Sequence, residues 1–231
     1  MRTALVIPSL GARQLASCLE AVAALEPAPA PCILVLSGGA AAPAGAPGGL
    51  ERIERPQRLG FAAAVNVGIG AVDGRAEAVA LLNDDAVPAP GWLGTLAAAL
   101  DAEPGLAAVQ GTVSDATGTR VDGRGIAFDR WCLPIQIDRG AALTAAAAPT
   151  TPVAVSGTAC LYGLEALRRA ALPDGSVFDP SFGSYHEDLD LGLRLRRLGW
   201  GCACVGGAGA RHLGSATGPS LAWRHPWWLL A

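Results

Sequence analysis

A chain of 231 residues with 51% apolar residues, 16% charged residues and a net charge of −3 excludes intrinsic disorder and offers no general attraction to nucleic acid. All 17 basic residues are arginine. Without lysine, Walker-type phosphate loops, Schiff-base chemistry and pyridoxal catalysis are all closed to it.

The first half alternates strand and helix. Thr3 to Ile7 and Cys32 to Leu36 are short β-rich runs, and between them Arg13 to Leu25 sets Leu15, Leu19 and Val22 at helical spacing. This is the pattern of a βαβ unit with a parallel sheet. Ser37 to Gly49 is rich in glycine, proline and small residues and is expected to be a mobile surface loop with nothing large to pack. A strand is expected over Leu50 to Glu54 and a helix over Phe61 to Val72. Ala78 to Leu82 has the continuous apolar run of a buried strand, and it leads straight into Asn83-Asp84-Asp85.

The second half is less regular. Ala107 to Val113 and Pro152 to Ser156 are expected strands, and Gly163 to Ala171 a short helix. Asp188 to Leu198 fits either period, but Arg194, Arg196 and Arg197 followed by Gly199 have the look of a helix C-terminus, which favours helix. Glu187 and Asp188 then stand at its amino end, where the backbone dipole favours ionised carboxylates. The expected class is α/β with a mostly parallel central sheet flanked by helices.

The six cysteines show neither a CxxC pair nor zinc-like spacing, so they are expected to be reduced and structural. No basic segment precedes a long apolar stretch at the N-terminus, and no apolar run reaches the roughly 18 residues of a membrane span. The expected location is the cytoplasm, with the inner face of the membrane as the alternative. Trp223, Trp227 and Trp228 with Arg224 make a basic aromatic end that suits domain packing, a homodimer contact or peripheral membrane contact.

Chemistry-bearing residues gather in two acidic clusters, Asn83-Asp84-Asp85 and Glu187-Asp188, followed by His212. Open α/β sheets place binding groups at the carboxyl ends of strands and the amino ends of helices. Each cluster also has a plain structural explanation: a polar turn after a buried strand for the first, a helix cap for the second, and a solvated or packed imidazole for His212.

Order and spacing carry a family resemblance. Val6-Ile7-Pro8-Ser9, Gly60-Phe61-Ala62-Ala63-Ala64-Val65-Asn66-Val67-Gly68-Ile69, Leu81-Leu82-Asn83-Asp84-Asp85 and Ser156-Gly157-Thr158-Ala159 come first. Phe178-Asp179-Pro180-Ser181-Phe182, Glu187-Asp188-Leu189-Asp190-Leu191, Arg194, Gly199-Trp200 and His212 with Gly214 and Ser215 follow. Over Thr3 to Gly218 the chain resembles the inverting family-two glycosyltransferases of the GT-A fold, especially those similar to bacterial rhamnosyltransferases. The resemblance implies one domain over residues 1–218, with a nucleotide-sugar half (1–110) and an acceptor half (111–218), ahead of a Trp-rich tail (219–231).

It also implies roles. Asp85 and His212 would ligate Mn²⁺ or Mg²⁺ against the phosphates of a nucleotide-diphosphate sugar. Asn83, in place of the usual first aspartate of a DxD-like motif, would hydrogen-bond ribose; Pro8, Ser9, Asn66 and Asp84 would lie near the donor. Asp188 would be the general base, with Glu187 as the nearby alternative. Gly157 and Thr158 would shape the acceptor side, and the acceptor would be a glycan or lipid-linked hydroxyl in surface-glycan assembly. After the second strand the chain has Ser37-Gly38-Gly39 where many relatives carry an aspartate, which leaves nucleotide choice open. The alternatives are a catalytically weak nucleotide-sugar-binding module, and a sugar nucleotidyltransferase, which the lack of lysine disfavours.

Overall fold

A computed structural model describes residues 1–44, 46, 48–144 and 149–214; the Trp-rich tail and Ser215 lie outside the described residues. In chain order the elements are β1 (Thr3–Ser9), α1 (Leu15–Ala23), β2 (Cys32–Ser37), β3 (Leu50–Arg55), α2 (Phe61–Val72), β4 (Ala78–Leu82), β5 (Ala86–Pro88), α3 (Trp92–Ala102) and β6 (Leu106–Gln110). Then come β7 (Val113–Ser114), β8 (Val121–Gly123), β9 (Ile126–Phe128), β10 (Pro134–Gln136), β11 (Ala159–Gly163), α4 (Leu164–Ala170), α5 (Glu187–Arg197), β12 (Gly201–Cys204) and β13 (Ala210–His212).

Seven strands form the central sheet in the order β12-β6-β11-β4-β1-β2-β3. Pairing is parallel except on the two sides of β11, which runs against β4 and β6. The expected mostly parallel α/β class is therefore the observed one. Successive side chains of a strand point to opposite faces, so Ala4 and Val6 enter one core with α2, α4 and α5, while Leu5 and Ile7 enter the other with α1 and α3. Burial on both faces is why β1, β2 and β4 are continuous apolar runs. Gly68 lets α2 lie close on the sheet: a methyl group there would stand 2.3 Å from Val6 Cγ1.

Topology places the functional end. The chain steps outward from β1 through β2 to β3, then returns to the other side of β1 as β4. That reversal is a switch point, the place where open α/β sheets bind their ligands. Registered pairing between β1 and β4 stops at Val6 with Leu81. Pro8, which has no N–H to give, is accommodated just beyond.

Three expectations need correction. Pro152 to Ser156 is not a strand: Ala154 makes only an isolated bridge to Ile126, and the segment packs under α5 at Gly192, where an added Cβ would meet Ala154 Cβ at 2.3 Å. The true strand is β11, which begins five residues downstream of Ala154. Ala107 to Val113 is two strands, because the chain turns at Gly111 against Ala208 and β7 joins a separate sheet. The Gly-rich loop after β2 is not without packing, since Ala40, Ala42 and Ala46 lie partly buried against the α1–α3 core.

A second, four-stranded sheet in the order β5-β13-β7-β8 begins just beyond β4, with Asn83-Asp84-Asp85 as the link. Its strands are two or three residues long, too short to show a period in the sequence.

Candidate active site

The residues at this end of the sheet are tied together by three links. Ser9 Oγ at the end of β1 donates to Asp84 Oδ2 at 2.6 Å, and the N–H groups of Gly11 and Ala12 bond Ser9 Oγ and Asp84 Oδ2. Asn83 N–H donates to Thr158 C=O at 2.9 Å. Gly157 N–H in turn donates to Asp188 Oδ2 at 3.2 Å. The loop before β11 thus joins the end of β4 to the start of α5, and both acidic clusters lie at one end of the sheet.

His212 arrives by register. Antiparallel pairing of β13 with β5 sets His212 opposite Ala86, the residue after Asp85, and Leu213 N–H donates to Asp85 C=O at 2.8 Å. His212 Nε2 stands 3.3 Å from Asp85 Oδ1, while Nδ1 meets Asp122 Oδ2 at 2.7 Å. Asp85 is 1% exposed, and neither of its carboxylate oxygens nor His212 Nε2 has a hydrogen-bond partner. Burial by itself lowers the imidazole pKa, but the Asp122 hydrogen bond and the nearby Asp85 and Asp122 carboxylates outweigh it and raise His212 to about 9. The bond from His212 likewise holds Asp122 below its ordinary range, against the opposing effect of burial.

Such buried, unpartnered oxygens beside an imidazole nitrogen fit a divalent cation. Among the described residues no group of three His, Cys, Asp or Glu side chains is placed to hold a metal, and Asp85 with His212 is the pair that comes together here. Hard cations of the Mg²⁺ kind are bound in this way, with substrate phosphates and water filling the other positions.

Asp188 is half-buried and accepts bonds from Gly157 N–H and from Leu189 N–H at 2.8 Å. Burial raises its pKa and those two bonds restrain the rise. Glu187 departs from expectation. It is 5% exposed with Oε2 unpartnered, and burial together with the Asp188 charge pushes its pKa well above the usual carboxylate range. Desolvation here outweighs the helix dipole, so Glu187 is not the ionised cap that the sequence pattern predicts. The approach to this pair is strained: Tyr185 and His186 both have left-handed φ, 76° and 71°.

Stability should record the Glu187 burial. A carboxyl whose folded pKa lies above its unfolded one costs nothing in acid and destabilises progressively as pH rises from the unfolded carboxyl range towards the folded pKa. Glu187→Gln should therefore raise the melting temperature by roughly 2–8 °C at pH 8 and by little near pH 4. A thermal melt series across pH checks this; an offset independent of pH would show that charge burial is not the cause.

Other predicted residues take different parts. Asn66 is engaged in packing: Oδ1 accepts from Val177 and Phe178 N–H, and Nδ2 donates to Phe178 C=O at 2.7 Å, so it fastens α2 to the segment before α5. Pro8 is buried inside β1. Ser9 and Asp84 hold each other and the 10–12 loop. Asn83 keeps a half-buried side-chain amide with no partner among the described residues, and Thr158 Oγ1 lies 3.1 Å from Ser156 Oγ. The contact of Asp122 with His212 has no sequence signal, because one aspartate before a glycine reads as a turn and nothing more.

The family model described as "Glycosyl transferase family 2" matches residues 7–168, well over half the chain. The chain belongs to glycosyl transferase family 2. The matched span holds Asn83-Asp84-Asp85, Asp122, Gly157 and Thr158; Glu187, Asp188 and His212 lie beyond it. No curated protein matches the chain.

Solved structures similar to this family-2 chain include GalNAc-T7 with UDP, GalNAc and Mn²⁺, at 14% identity and a TM-score of 0.72 over 93% of this chain and 44% of that one. The mannosyltransferase PcManGT from Pyrobaculum calidifontis, in complex with GDP-Man and Mn²⁺, follows at 17% identity and 0.61 over 94% and 58%. TarS of S. aureus has 13% identity and 0.63 over 93% and 37%. The family-2 chain thus spans less than two thirds of the length of each. At these identities the likeness is one of fold, and the fold is GT-A.

Proposed function

We propose that this family-2 chain is a metal-dependent inverting glycosyltransferase that moves a sugar from a nucleotide-diphosphate donor to an acceptor hydroxyl in surface-glycan assembly. One observation carries the reading. Asp85 and His212 turn unpartnered, buried donor atoms toward each other at an end of the sheet that also gathers the carboxyl groups of Asp84, Asp122, Glu187 and Asp188. An anionic pyrophosphate would be repelled by such a cluster unless a cation stood between them.

Mn²⁺ or Mg²⁺ would be held by Asp85 and His212, and when bound it would neutralise charge on the departing nucleoside diphosphate. Asn83 is the donor-side hydrogen-bonding group, with Ser9 and Asp84 shaping the loop that the nucleotide meets. Asp188 takes the proton of the acceptor hydroxyl as that oxygen attacks, and a single displacement inverts the anomeric centre. Its oxygens are oriented by Gly157 and Leu189 N–H groups, so that the carboxylate is fixed before substrate arrives. Gly157 and Thr158 lie on the acceptor side. In this reading residues 1–110 bind the donor and 111–218 the acceptor. UDP- and GDP-linked sugars are the donors to try first, since two of the similar structures hold UDP with GalNAc and GDP-Man.

A lipid-linked acceptor is supported by the β9–β10 hairpin, where Phe128, Trp131, Leu133 and Ile135 are exposed and the Arg130 guanidinium stacks 5.0 Å from the Trp131 ring. Apolar groups beside arginine suit the inner membrane interface, and a homodimer contact is the competing use. Among the described residues no helix is long and apolar enough to cross a membrane.

The test is a panel of nucleotide sugars with Mn²⁺ and acceptor extracts, reading nucleoside-diphosphate release with and without chelator. Chelator-sensitive release with inversion at the anomeric carbon is expected. Donor binding with no release under any condition would favour the nucleotide-sugar-binding module, for which Asn83 in place of a carboxylate is the specific argument.

A further inference from the structure

We propose that Asp122 is the positioning residue of His212: its carboxylate accepts the hydrogen bond from Nδ1–H and thereby commits Nε2, the nitrogen beside Asp85, to the cation. The proposal rests on the reading that Asp85 and His212 hold a divalent metal.

Backbone geometry gives the first argument. Strand β8 is not a neighbour of β13; β7 lies between them. Along the β7–β8 pair, Val113 faces Gly123 and Ser114 faces Val121, so the register slips and Asp122 is the extra residue of a bulge. Bulges re-aim side chains, and this one turns Asp122 across β7 to within 2.7 Å of His212 Nδ1. A regular three-residue strand would leave Asp122 paired in the ladder.

Division of labour between the two carboxylate oxygens gives the second. Asp122 Oδ2 meets His212, and Oδ1 lies 3.6 Å from the Arg139 guanidinium on the solvent side. Each oxygen is thus engaged away from Asp85, which makes Asp122 a support for the imidazole and not a third ligand. The imidazole has one nitrogen against each carboxylate, and Asp85 is the one with no other partner. A carboxylate behind a ligating histidine fixes the tautomer and ring orientation and strengthens the other nitrogen as a donor.

Metal identity separates this role from a structural one. Mn²⁺ gains from an imidazole nitrogen, whereas Mg²⁺ depends on oxygen ligands, so weakening His212 should be felt by Mn²⁺ first. Titration calorimetry of the full chain with Mn²⁺ alone and Mg²⁺ alone is the experiment, on wild type, Asp122→Ala, Asp122→Asn and His212→Ala. Asp122→Ala should weaken Mn²⁺ binding by about 10–100-fold and Mg²⁺ binding far less. Asp122→Asn, which keeps an acceptor oxygen for Nδ1–H without the charge, should fall in between; it carries the test alone if the alanine variant does not fold.

Equal losses for both metals, or unchanged Mn²⁺ affinity in the Asp122 variants while His212→Ala weakens it, would overturn the positioning role and leave the metal reading standing. If His212→Ala itself leaves Mn²⁺ affinity unchanged, the metal reading fails and takes this proposal with it.

Discussion

Asp188→Asn should lower turnover by about 10²–10⁴-fold while leaving the dissociation constant for donor nucleotide within a few-fold of wild type. The substitution keeps size and shape. It removes the one property a base needs, a lone pair on an anionic oxygen, and leaves one oxygen to accept from Gly157 or Leu189 N–H. Because burial raises the pKa of Asp188, the acid limb of the wild-type rate profile should lie above the range of a free aspartate, with activity lost as pH falls through it. The residual rate of Asp188→Asn should lack that limb. Single-turnover rates and equilibrium nucleotide binding, measured across pH on both proteins, check each part. Wild-type turnover in Asp188→Asn would remove this residue as base, and a parallel loss of nucleotide binding would make it a structural cap.

Between the two carboxyl groups, Glu187 is the more withdrawn: it is 5% exposed, and burial with the Asp188 charge pushes its pKa well above the usual carboxylate range, which favours Asp188 as the proposed base. Two adjacent carboxyl groups with different solvation can divide in this way, one charged and reactive, the other neutral beside it.

How much of this was legible in the sequence follows element size. β1, β2 and β4 are buried on both faces and are continuous apolar runs, and α2 has its apolar residues at a regular helical period, so its predicted bounds are the observed ones. The second sheet was illegible for the same physical reason. Ala86–Pro88, Val113–Ser114, Val121–Gly123 and Ala210–His212 are held by pairing with one another, and segments of two or three residues cannot display alternation. That sheet nevertheless brings His212 to Asp85 and Asp122 to His212, contacts between residues 127 and 90 positions apart in the chain. Motif order pointed to His212. Nothing pointed to Asp122, whose role depends on a bulge. Pro152 to Ser156 misled for the converse reason: its apolar residues pack beneath α5, and Ser156 N–H bonds the Gln110 side chain in place of a strand partner.

Asp85→Asn should have opposite effects on stability and activity. Asp85 is 1% exposed with both carboxylate oxygens lacking hydrogen-bond partners, an arrangement that costs free energy and is retained where function needs it. An amide there carries no charge to desolvate, so the apo melting temperature should stay level or rise by a few degrees. The same change withdraws an anionic ligand, and Mn²⁺-dependent turnover should fall by about 10²-fold or more. Linkage gives an independent reading of that loss. Mn²⁺ binds the folded chain, so it should raise the wild-type melting temperature progressively with concentration, by an amount set by the ratio of free metal to dissociation constant. In Asp85→Asn that rise should be largely abolished, and chelator should lower the melting temperature of wild type loaded with Mn²⁺ alone. His212 provides the internal comparison: its replacement by alanine should also blunt the Mn²⁺ response, but without the gain in apo stability, because it deprives Asp122 of its bond as well as Asp85 of its neighbour. An Asp85→Asn protein that melts lower than wild type without metal, and gains as much from Mn²⁺, would mean that this carboxylate is a packing element of the β5–β13 junction and that the cation is bound elsewhere.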